Sequence, residues 1–176
     1  MNLHIRQEEP ADHPAVFKLI EEAFREEPRS DHTEQFLVER LRKSDAFIPE
    51  LSLVAVAGDR IVGHILLTRV KIKNDRDEFD SLALAPVSVL PAYQRQGIGS
   101  RLIEKAHEIA KALGNTSVIL LGHESYYPRF GYLPTSQFGI QLPFEVPEAN
   151  CMAIELTDKA LSGVQGTVVY PSAFYA

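Results

Sequence analysis

The stretch from Leu84 to Gly114 constrains the fold of this chain more than any other part of the sequence. It begins with a near-continuous apolar run that ends at Pro91. Because proline cannot donate a hydrogen bond to a sheet ladder, this run predicts a strand buried on both faces. Apolar side chains then recur at helical spacing and predict a long amphipathic helix, with Gly114 as a left-handed cap residue. The apolar stripe consists of Ile98, Leu102, Ile103, Ala106, Ile109, Ala110 and Leu113.

The turn between this strand and this helix, residues 94–99, has the sequence QRQGIG. Its two glycines, Gly97 and Gly99, lack the Cβ atoms that would keep a ligand away from the backbone. The free N–H groups of the helix's first turn point outward, with the positive end of the helix dipole behind them. The turn therefore predicts an anion site, and a pyrophosphate fits it.

Two common phosphate motifs do not match this turn. A Walker loop needs a lysine after its second glycine, and the dinucleotide fingerprint needs a third glycine where Leu102 stands. The pattern Gln94-x-x-Gly97-x-Gly99 instead resembles the acyl-CoA-binding motif of the GNAT superfamily of N-acetyltransferases, and the resemblance extends upstream through Val87-Ser88-Val89. The competing interpretation is a tight turn whose glycines serve packing alone.

A second motif follows the helix. Ser117 to Leu121 (SVILL) predicts another buried strand, and the order strand, helix, strand implies a right-handed crossover and a parallel pair. The segment 126–132 (YYPRFGY) resembles the second signature of the same superfamily, at the usual distance from the glycine turn. We expect Phe130 and Tyr132 to be packing residues and Tyr127 to be functional.

The remaining elements are predicted from local signals. Asp12 can cap one helix and Asp31 can begin another, and in this fold both would border the acceptor site. Two apolar runs flank Gly58-Asp59, which predicts a hairpin, and His64 in the second run is expected to be a packed core residue. The polar stretch 74–80 predicts a mobile loop.

The resemblance implies an α/β (α+β) fold in one domain that spans residues 1–176. The expected architecture is a mixed central sheet of about six to seven strands flanked by helices, in which a splayed parallel pair forms the acyl-CoA cleft. The resemblance is strongest over about 50–132, and residues 133–176 are expected to add short strands and turns to the sheet.

Composition excludes several functional classes. The net charge of −6 argues against nucleic acid as the main partner, and Arg95 and Arg101 supply a local exception beside the glycine turn. No apolar run approaches the ~20 residues that a membrane helix requires, and no signal peptide is visible. The single cysteine, Cys151, excludes an internal disulfide, which predicts a reducing, cytoplasmic location, and it is expected to pack. No metal-site spacing is present, and a monomer or a homodimer is compatible with the sequence.

The resemblance further implies a reaction and its residues. Acetyl-CoA would donate an acetyl group to the amine of a small molecule or a peptide by direct attack. Backbone N–H groups would hold the pyrophosphate, and the edge of Val87 to Val89 would pair with the pantetheine arm, with an N–H near Val89 facing the thioester oxygen. Tyr127 matches the family's general acid for the leaving thiolate. The residues expected to bind the pyrophosphate are Arg95, Gln96, Gly97, Ile98, Gly99 and Ser100.

The residue that removes the amine proton stays open at this point. The central strand carries no carboxylate in ALAPVSV, so His123, Glu124 or water are the remaining candidates. Two other hypotheses compete with an acetyltransferase. One is a non-catalytic acyl-CoA-binding module with the same fold, and the other is an ATP-using protein, which the absent lysine disfavours.

Overall fold

The structure, a computed structural model, describes residues 2–175, and its strands form one mixed sheet in the order β1-β2-β3-β4-β5-β8-β6. Strand β9 pairs with β3 and β7. Every strand pair is antiparallel except β4–β5 and β7–β9. The strands are β1 (Leu3–Gln7), β2 (Phe47–Ala57), β3 (Arg60–Lys73), β4 (Glu78–Val89), β5 (Ser117–Leu121), β6 (Leu133–Pro134), β7 (Ile140–Gln141), β8 (Cys151–Glu155) and β9 (Gly166–Val169). The helices are α1 (His13–Phe24), α2 (Glu34–Arg42) and α3 (Ile98–Ala112).

The expected mixed α/β fold is confirmed. Over residues 2–175 the sheet has nine strands rather than six or seven, because β6 and β7 are two-residue strands that carry no hydrophobic periodicity of their own. The predicted α3 begins at Ile98, and Gly114 adopts the expected left-handed conformation with φ +92° just beyond its end. The predicted parallel pairing of β4 with β5 is also present.

The two helix starts differ in detail from the prediction. Asp12 precedes α1 but makes no side-chain cap, because its carboxylate accepts hydrogen bonds from Arg6 and from the N–H of Glu9 instead. Helix α2 begins at Glu34 rather than near Asp31.

Of the stretch predicted as a loop, residues 74–77 form the turn of the β3–β4 hairpin, whereas residues 78–80 begin β4. Glu78 and Asp80 form cross-strand ion pairs with Lys73 and Lys71 on the solvent side of this hairpin, and such charged residues do not distinguish an exposed strand end from a loop in sequence. Asn74 closes the turn by accepting the N–H groups of Arg76 and Asp77 at 2.9 Å.

Helices cover both faces of the sheet. A Cβ at Gly63 would lie 3.0–3.1 Å from Leu102 and Ile98, so Gly63 faces α3. The next residue, His64, must face the opposite side because strand side chains alternate. There it lies 3.2 Å from Ser52, which donates to Glu8, and Glu8 also bonds Arg42 of α2. His64 and Cys151 are both buried, as expected.

Candidate active-site cleft

Strands β4 and β5 are paired over only two residue positions. Leu82 and Ala83 face Val118 and Ile119, and beyond them the two strands separate. On its other edge β4 carries an irregularity at residues 85–86, where two residues of β4 face the single residue Leu66 of β3. A bulge bends its strand, so β4 diverges from β5 at this point and a cleft opens between them.

The cleft has a volume of about 670 Å³ and four walls of different chemistry. The end of β4 forms one wall and the segment that follows β5 forms the second. The end of α1 with the loop to α2 forms the third, and Val146 and Pro147 contribute apolar surface from the C-terminal part. The fold thus places strand edges and helix ends around one cavity.

At two of the three predicted positions, the main-chain groups of β4 turn toward the cleft, where no strand of the described chain pairs with them. Leu90 donates its N–H to Val62 O at 2.9 Å, and hydrogen-bonded pairs alternate along an antiparallel ladder. Ser88 therefore directs its main chain to β3, whereas Val87 and Val89 turn theirs toward the cleft. Gln94 donates to Val89 O at 3.1 Å from that side. Among residues 2–175, no strand pairs with this edge of β4 beyond Ala83.

Ser88 meets the cleft through its side chain. The residue is 3% exposed, it lines the cavity, and its Oγ atom has no hydrogen-bond partner within the described part of the chain. A buried hydroxyl without a partner is energetically unfavourable, so this atom is a point at which a ligand or a water molecule would be held.

The glycine turn lies at the amino end of α3. Gly97 is the residue before the helix and has φ +81°, a conformation that favours glycine, and Arg95 also has a positive φ of 65°. The N–H of Arg101 makes the first helical bond, to Gly97 O at 3.1 Å, so Ile98, Gly99 and Ser100 have no carbonyl partner within the helix. Arg95, Gln96 and Gly97 are exposed.

Gly99 also packs closely against the second motif. A Cβ at this position would lie 3.3 Å from the hydroxyl oxygen of Tyr126 and 3.8 Å from a methyl group of Val89. The Tyr126 hydroxyl also lies 3.3 Å from Ser100 Oγ, and the Arg129 guanidinium stacks over the Tyr126 ring at 4.5 Å. The second motif is thus docked on the first through Tyr126.

Tyr127 lines the cleft and is otherwise buried. Its ring contacts Tyr126 and Tyr132 edge-on, with centroids 5.1 and 5.8 Å apart. Burial, together with the neighbouring Tyr126, raises the pKa of the Tyr127 hydroxyl well above its ordinary value, so the group stays protonated and can donate a hydrogen bond into the cleft. Phe130 and Tyr132 pack in the core, as expected.

The two candidate bases differ in position. Both residues are exposed, but His123 lines the cleft, whereas Glu124 is not part of the cavity wall. Asn150 fixes the segment between β5 and His123, because its side chain donates to Gly122 O at 2.9 Å.

Sequence reasoning missed two carboxylates on the third wall. Glu27 and Glu34 both line the cleft and are half-buried, and within residues 2–175 neither forms an ion pair. Ser30 donates to the Glu34 carboxylate at 2.6–2.7 Å and accepts the N–H of His32 at 2.8 Å. The exposed Arg29 lines the same wall. No local pattern distinguishes these acidic residues from the others on the helix surfaces.

Over residues 2–175 no helix is long and apolar enough to cross a membrane. The same residues contain no group of three or more His, Cys, Asp or Glu side chains that could hold a metal ion.

Known proteins resemble this chain in sequence. A family model described as "Acetyltransferase (GNAT) domain" matches residues 4–135. The protein named "Uncharacterized N-acetyltransferase YjhQ" of Escherichia coli K12 is 39% identical over 115 residues, which span 65% of this chain and 64% of YjhQ. The "Uncharacterized N-acetyltransferase YhbS" of the same strain is 29% identical over 171 residues, 97% of both chains.

Solved structures resemble it in fold. The crystal structure of E. coli YhbS in complex with CoA has a TM-score of 0.90 at 25% identity and covers 100% of this chain and 93% of that one. A GNAT family acetyltransferase from Brucella melitensis in complex with acetyl-CoA has a TM-score of 0.81 at 32% identity, with 98% of both chains covered.

Proposed function

The chain belongs to the GNAT acetyltransferase family, and we propose that it transfers the acetyl group of acetyl-CoA to a primary amine by direct attack in a ternary complex. The observation that carries this proposal is the unpaired edge of β4, which leads from the cleft to the amino end of α3. Related proteins in complex with CoA and with acetyl-CoA support it.

The diphosphate of the coenzyme would bind the glycine turn. Main-chain N–H groups between Arg95 and Ser100 would supply directed hydrogen bonds that do not titrate, and the positive end of the α3 dipole favours the anion. The exposed guanidinium groups of Arg95 and Arg101 would add local positive charge to an acidic protein.

The pantetheine arm would pair with β4 as an additional strand. The arm contains amides, and Val87 and Val89 offer main-chain partners on the side that no strand occupies. The N–H of Val89 would face the thioester oxygen and stabilise the negative charge that develops there during attack.

Tyr127 would act on the leaving thiolate. A tyrosine titrates near ~10 and a thiol near ~8.5, so full proton transfer from an ordinary tyrosine is already uphill by about 2 kcal/mol. Burial raises the pKa of Tyr127 further, which makes early transfer less favourable still. The hydroxyl would therefore stabilise the thiolate by a hydrogen bond, and the proton would arrive late, through solvent.

The amine would lose its proton to His123 or to a water molecule. His123 lines the cleft, which favours it over the exposed Glu124.

Two measurements on the purified protein test the proposal. Titration calorimetry with acetyl-CoA should give a heat of association, whereas ATP should give a much weaker one. Release of free CoA should then be followed with putrescine, tyramine, L-lysine, kanamycin and a peptide with an N-terminal alanine. If the protein binds acetyl-CoA but acetylates neither these amines nor those of a larger panel, the non-catalytic module is favoured. Stronger binding of ATP than of acetyl-CoA would favour an ATP-using protein.

A further inference from the structure

A buried polar network lies on the α1/α2 face of the sheet, behind the cleft. Ser52 Oγ donates to Glu8 Oε2 at 2.5 Å and lies 3.2 Å from His64 Nε2. Arg42 forms an ion pair with the same Glu8 carboxylate. Ser52 and His64 are 1% and 0% exposed, so both of these side chains are buried.

The network fixes where its protons lie. Burial favours the neutral form of Glu8, but hydrogen bonds from Arg42 and Ser52 and nearby positive charge outweigh it and lower the Glu8 pKa. The carboxylate is therefore charged and can only accept hydrogen bonds. Ser52 has a single hydroxyl proton and gives it to Glu8, so its oxygen must accept the Nε2–H of His64. His64 Nδ1 is consequently left with a lone pair.

That lone pair has no donor. His64 Nδ1 and Ser88 Oγ are both buried side-chain atoms without a hydrogen-bond partner within residues 2–175. The two residues lie directly opposite each other on β3 and β4, where side chains of a pair are near neighbours. Ser88 also lines the cleft, so the buried acceptor His64 Nδ1 belongs to a residue that is paired with a hydroxyl of the cavity wall.

We propose that Ser88 donates its hydroxyl proton to His64 Nδ1, through one water molecule or after rotation of the Ser88 side chain, and accepts a hydrogen bond from an N–H of the acceptor amine. The contact between Ser88 and the acceptor amine rests on the proposed acetyl transfer. Ser88 contacts the substrate, and His64 is a positioning residue that orients the Ser88 hydroxyl. A primary amine can direct its lone pair to the thioester carbon while one N–H is held by Ser88.

The protonation of His64 supports this role. Burial lowers the pKa of His64 to about 4; nearby Arg42 and His13 lower it too, while Glu8 opposes them. The imidazole is thus neutral near pH 7, and Nδ1 remains an acceptor. Since an alkylammonium titrates near ~10, a base so weak cannot retain the amine proton, which excludes His64 as the terminal base.

The first test compares two serines of β4. Ser88→Ala should lower kcat/KM for the fastest panel amine by about fivefold to tenfold, the loss expected for one neutral hydrogen bond, with acetyl-CoA affinity by calorimetry unchanged. Ser81 is also buried but bonds Ser117 at 2.7 Å outside the cleft, so Ser81→Ala is the matched control and should keep the wild-type rate. Unaltered kinetics in Ser88→Ala would overturn the amine contact.

The second test separates positioning from stability. Asparagine can place an acceptor near the Nδ1 position, whereas glutamine can reach Ser52 from the Nε2 position but offers nothing at Nδ1. His64→Gln should lose amine efficiency as Ser88→Ala does, while His64→Asn should keep it even with a lower melting temperature. A merely structural role predicts the reverse order, because glutamine preserves the Ser52 bond, and equal loss in both variants would also contradict the proposal.

A third readout needs no acceptor. In a protein labelled with ¹⁵N-histidine, the Nδ1 resonance of His64 should show an accepted hydrogen bond. In Ser88→Ala its chemical shift should move toward that of an imidazole nitrogen that accepts no hydrogen bond, and in Ser81→Ala it should stay unchanged. An unmoved resonance overturns the Ser88–His64 link. Absence of both acetyl-CoA binding and turnover in the wild type overturns the proposed function and the amine contact instead, and the resonance still decides the link.

Discussion

Gly122 lies directly against the ring of Tyr127, so that a Cβ atom at position 122 would overlap the Cε2 and Cδ2 atoms of that ring. The glycine at the end of β5 is therefore required for close approach. It lets Tyr127 fold back between the strand end and the aromatic residues Tyr126 and Tyr132. The position of the proposed hydrogen-bond donor to the thiolate depends on this contact.

Replacing Gly122 should displace Tyr127. We expect Gly122→Ala to lower the free energy of unfolding by about 1–3 kcal/mol through overpacking and to reduce turnover by at least about tenfold through misplacement of the hydroxyl. Gly114→Ala is the control, since its φ of +92° costs stability at the far end of α3, where the new Cβ meets open space. Denaturant unfolding measures the stability of the two variants, and CoA release measures their turnover. Normal turnover in a destabilised Gly122→Ala would show that catalysis does not depend on the ring's position.

The Tyr127 hydroxyl is expected to act on the chemical step. Tyr127→Phe should reduce turnover at least about tenfold, because the leaving thiolate loses its donor, and acetyl-CoA affinity should hardly change. Tyr132→Phe is the matched variant: its hydroxyl lies 2.7 Å from His107 Nε2, so this change should affect stability and spare turnover. Single-turnover kinetics and calorimetry distinguish the two effects. Equal rates for wild type and Tyr127→Phe would remove Tyr127 from the mechanism.

The conformation of Gly97 is expected to set the coenzyme affinity. An alanine at φ +81° is strained by about 1 kcal/mol, and relaxation of this strain would reorient the amides at the start of α3. We expect Gly97→Ala to weaken acetyl-CoA binding by at least about tenfold, since a bond to a charged group contributes more than a neutral one. Gly163 has φ +78° in a distant turn, and Gly163→Ala should bind normally. Calorimetry that gives the same affinity for both variants would contradict the diphosphate site.

Glu34 is expected to act on the acceptor rather than on the coenzyme. Glu34→Gln should raise KM about threefold for amines with a second positive charge, such as putrescine, because a partly exposed charge pair contributes under about 1 kcal/mol. Glu39 lies on the same helix but is exposed and outside the cleft, so Glu39→Gln should leave KM unchanged. Steady-state kinetics at fixed acetyl-CoA measure this. A Glu34→Gln variant with unchanged KM for putrescine, and changed acetyl-CoA affinity, would assign the carboxylate elsewhere.

The features that the sequence predicted well are those that local physics determines. The bounds of α3, the left-handed Gly114 and the hairpin at Gly58-Asp59 follow from hydrophobic periodicity and from backbone freedom at glycine. The parallel pairing of β4 with β5 follows from the handedness of a strand–helix–strand connection.

The features that the sequence did not predict depend on contacts between distant segments. The sequence predicts that Glu34 is a helix-capping residue. In the structure its carboxylate accepts a hydrogen bond from Ser30, and the path of the α1–α2 loop places it at the cleft. The lone hydroxyl of Ser88 depends on the bulge in β4 and on His64 across the ladder. The strand ends that meet Glu34 at the cleft, and the His64 that faces Ser88, are distant in sequence, and no periodicity within one element reports them.

The buried histidines should make the fold sensitive to acid. The pKa of His64 falls from 6.5 to about 4 on burial, so below pH 6.5 the unfolded chain binds a proton that the folded protein does not. Stability is therefore full above about pH 6.5 and falls as the pH drops toward 4, by about 3 kcal/mol for this group. Burial also lowers the pKa of His107 to about 4, so His107 acts in the same direction. The pKa of Glu8 is lowered too, so Glu8 adds a loss of stability only when the pH falls below the ordinary pKa of a glutamate.

Urea unfolding at pH 7.0, 5.5 and 4.5 should show this decrease in stability. His64→Asn should flatten it, since asparagine does not titrate, and His107→Gln should remove a separate share. A slope that persists unchanged in both variants would assign the acid sensitivity to the carboxylates alone.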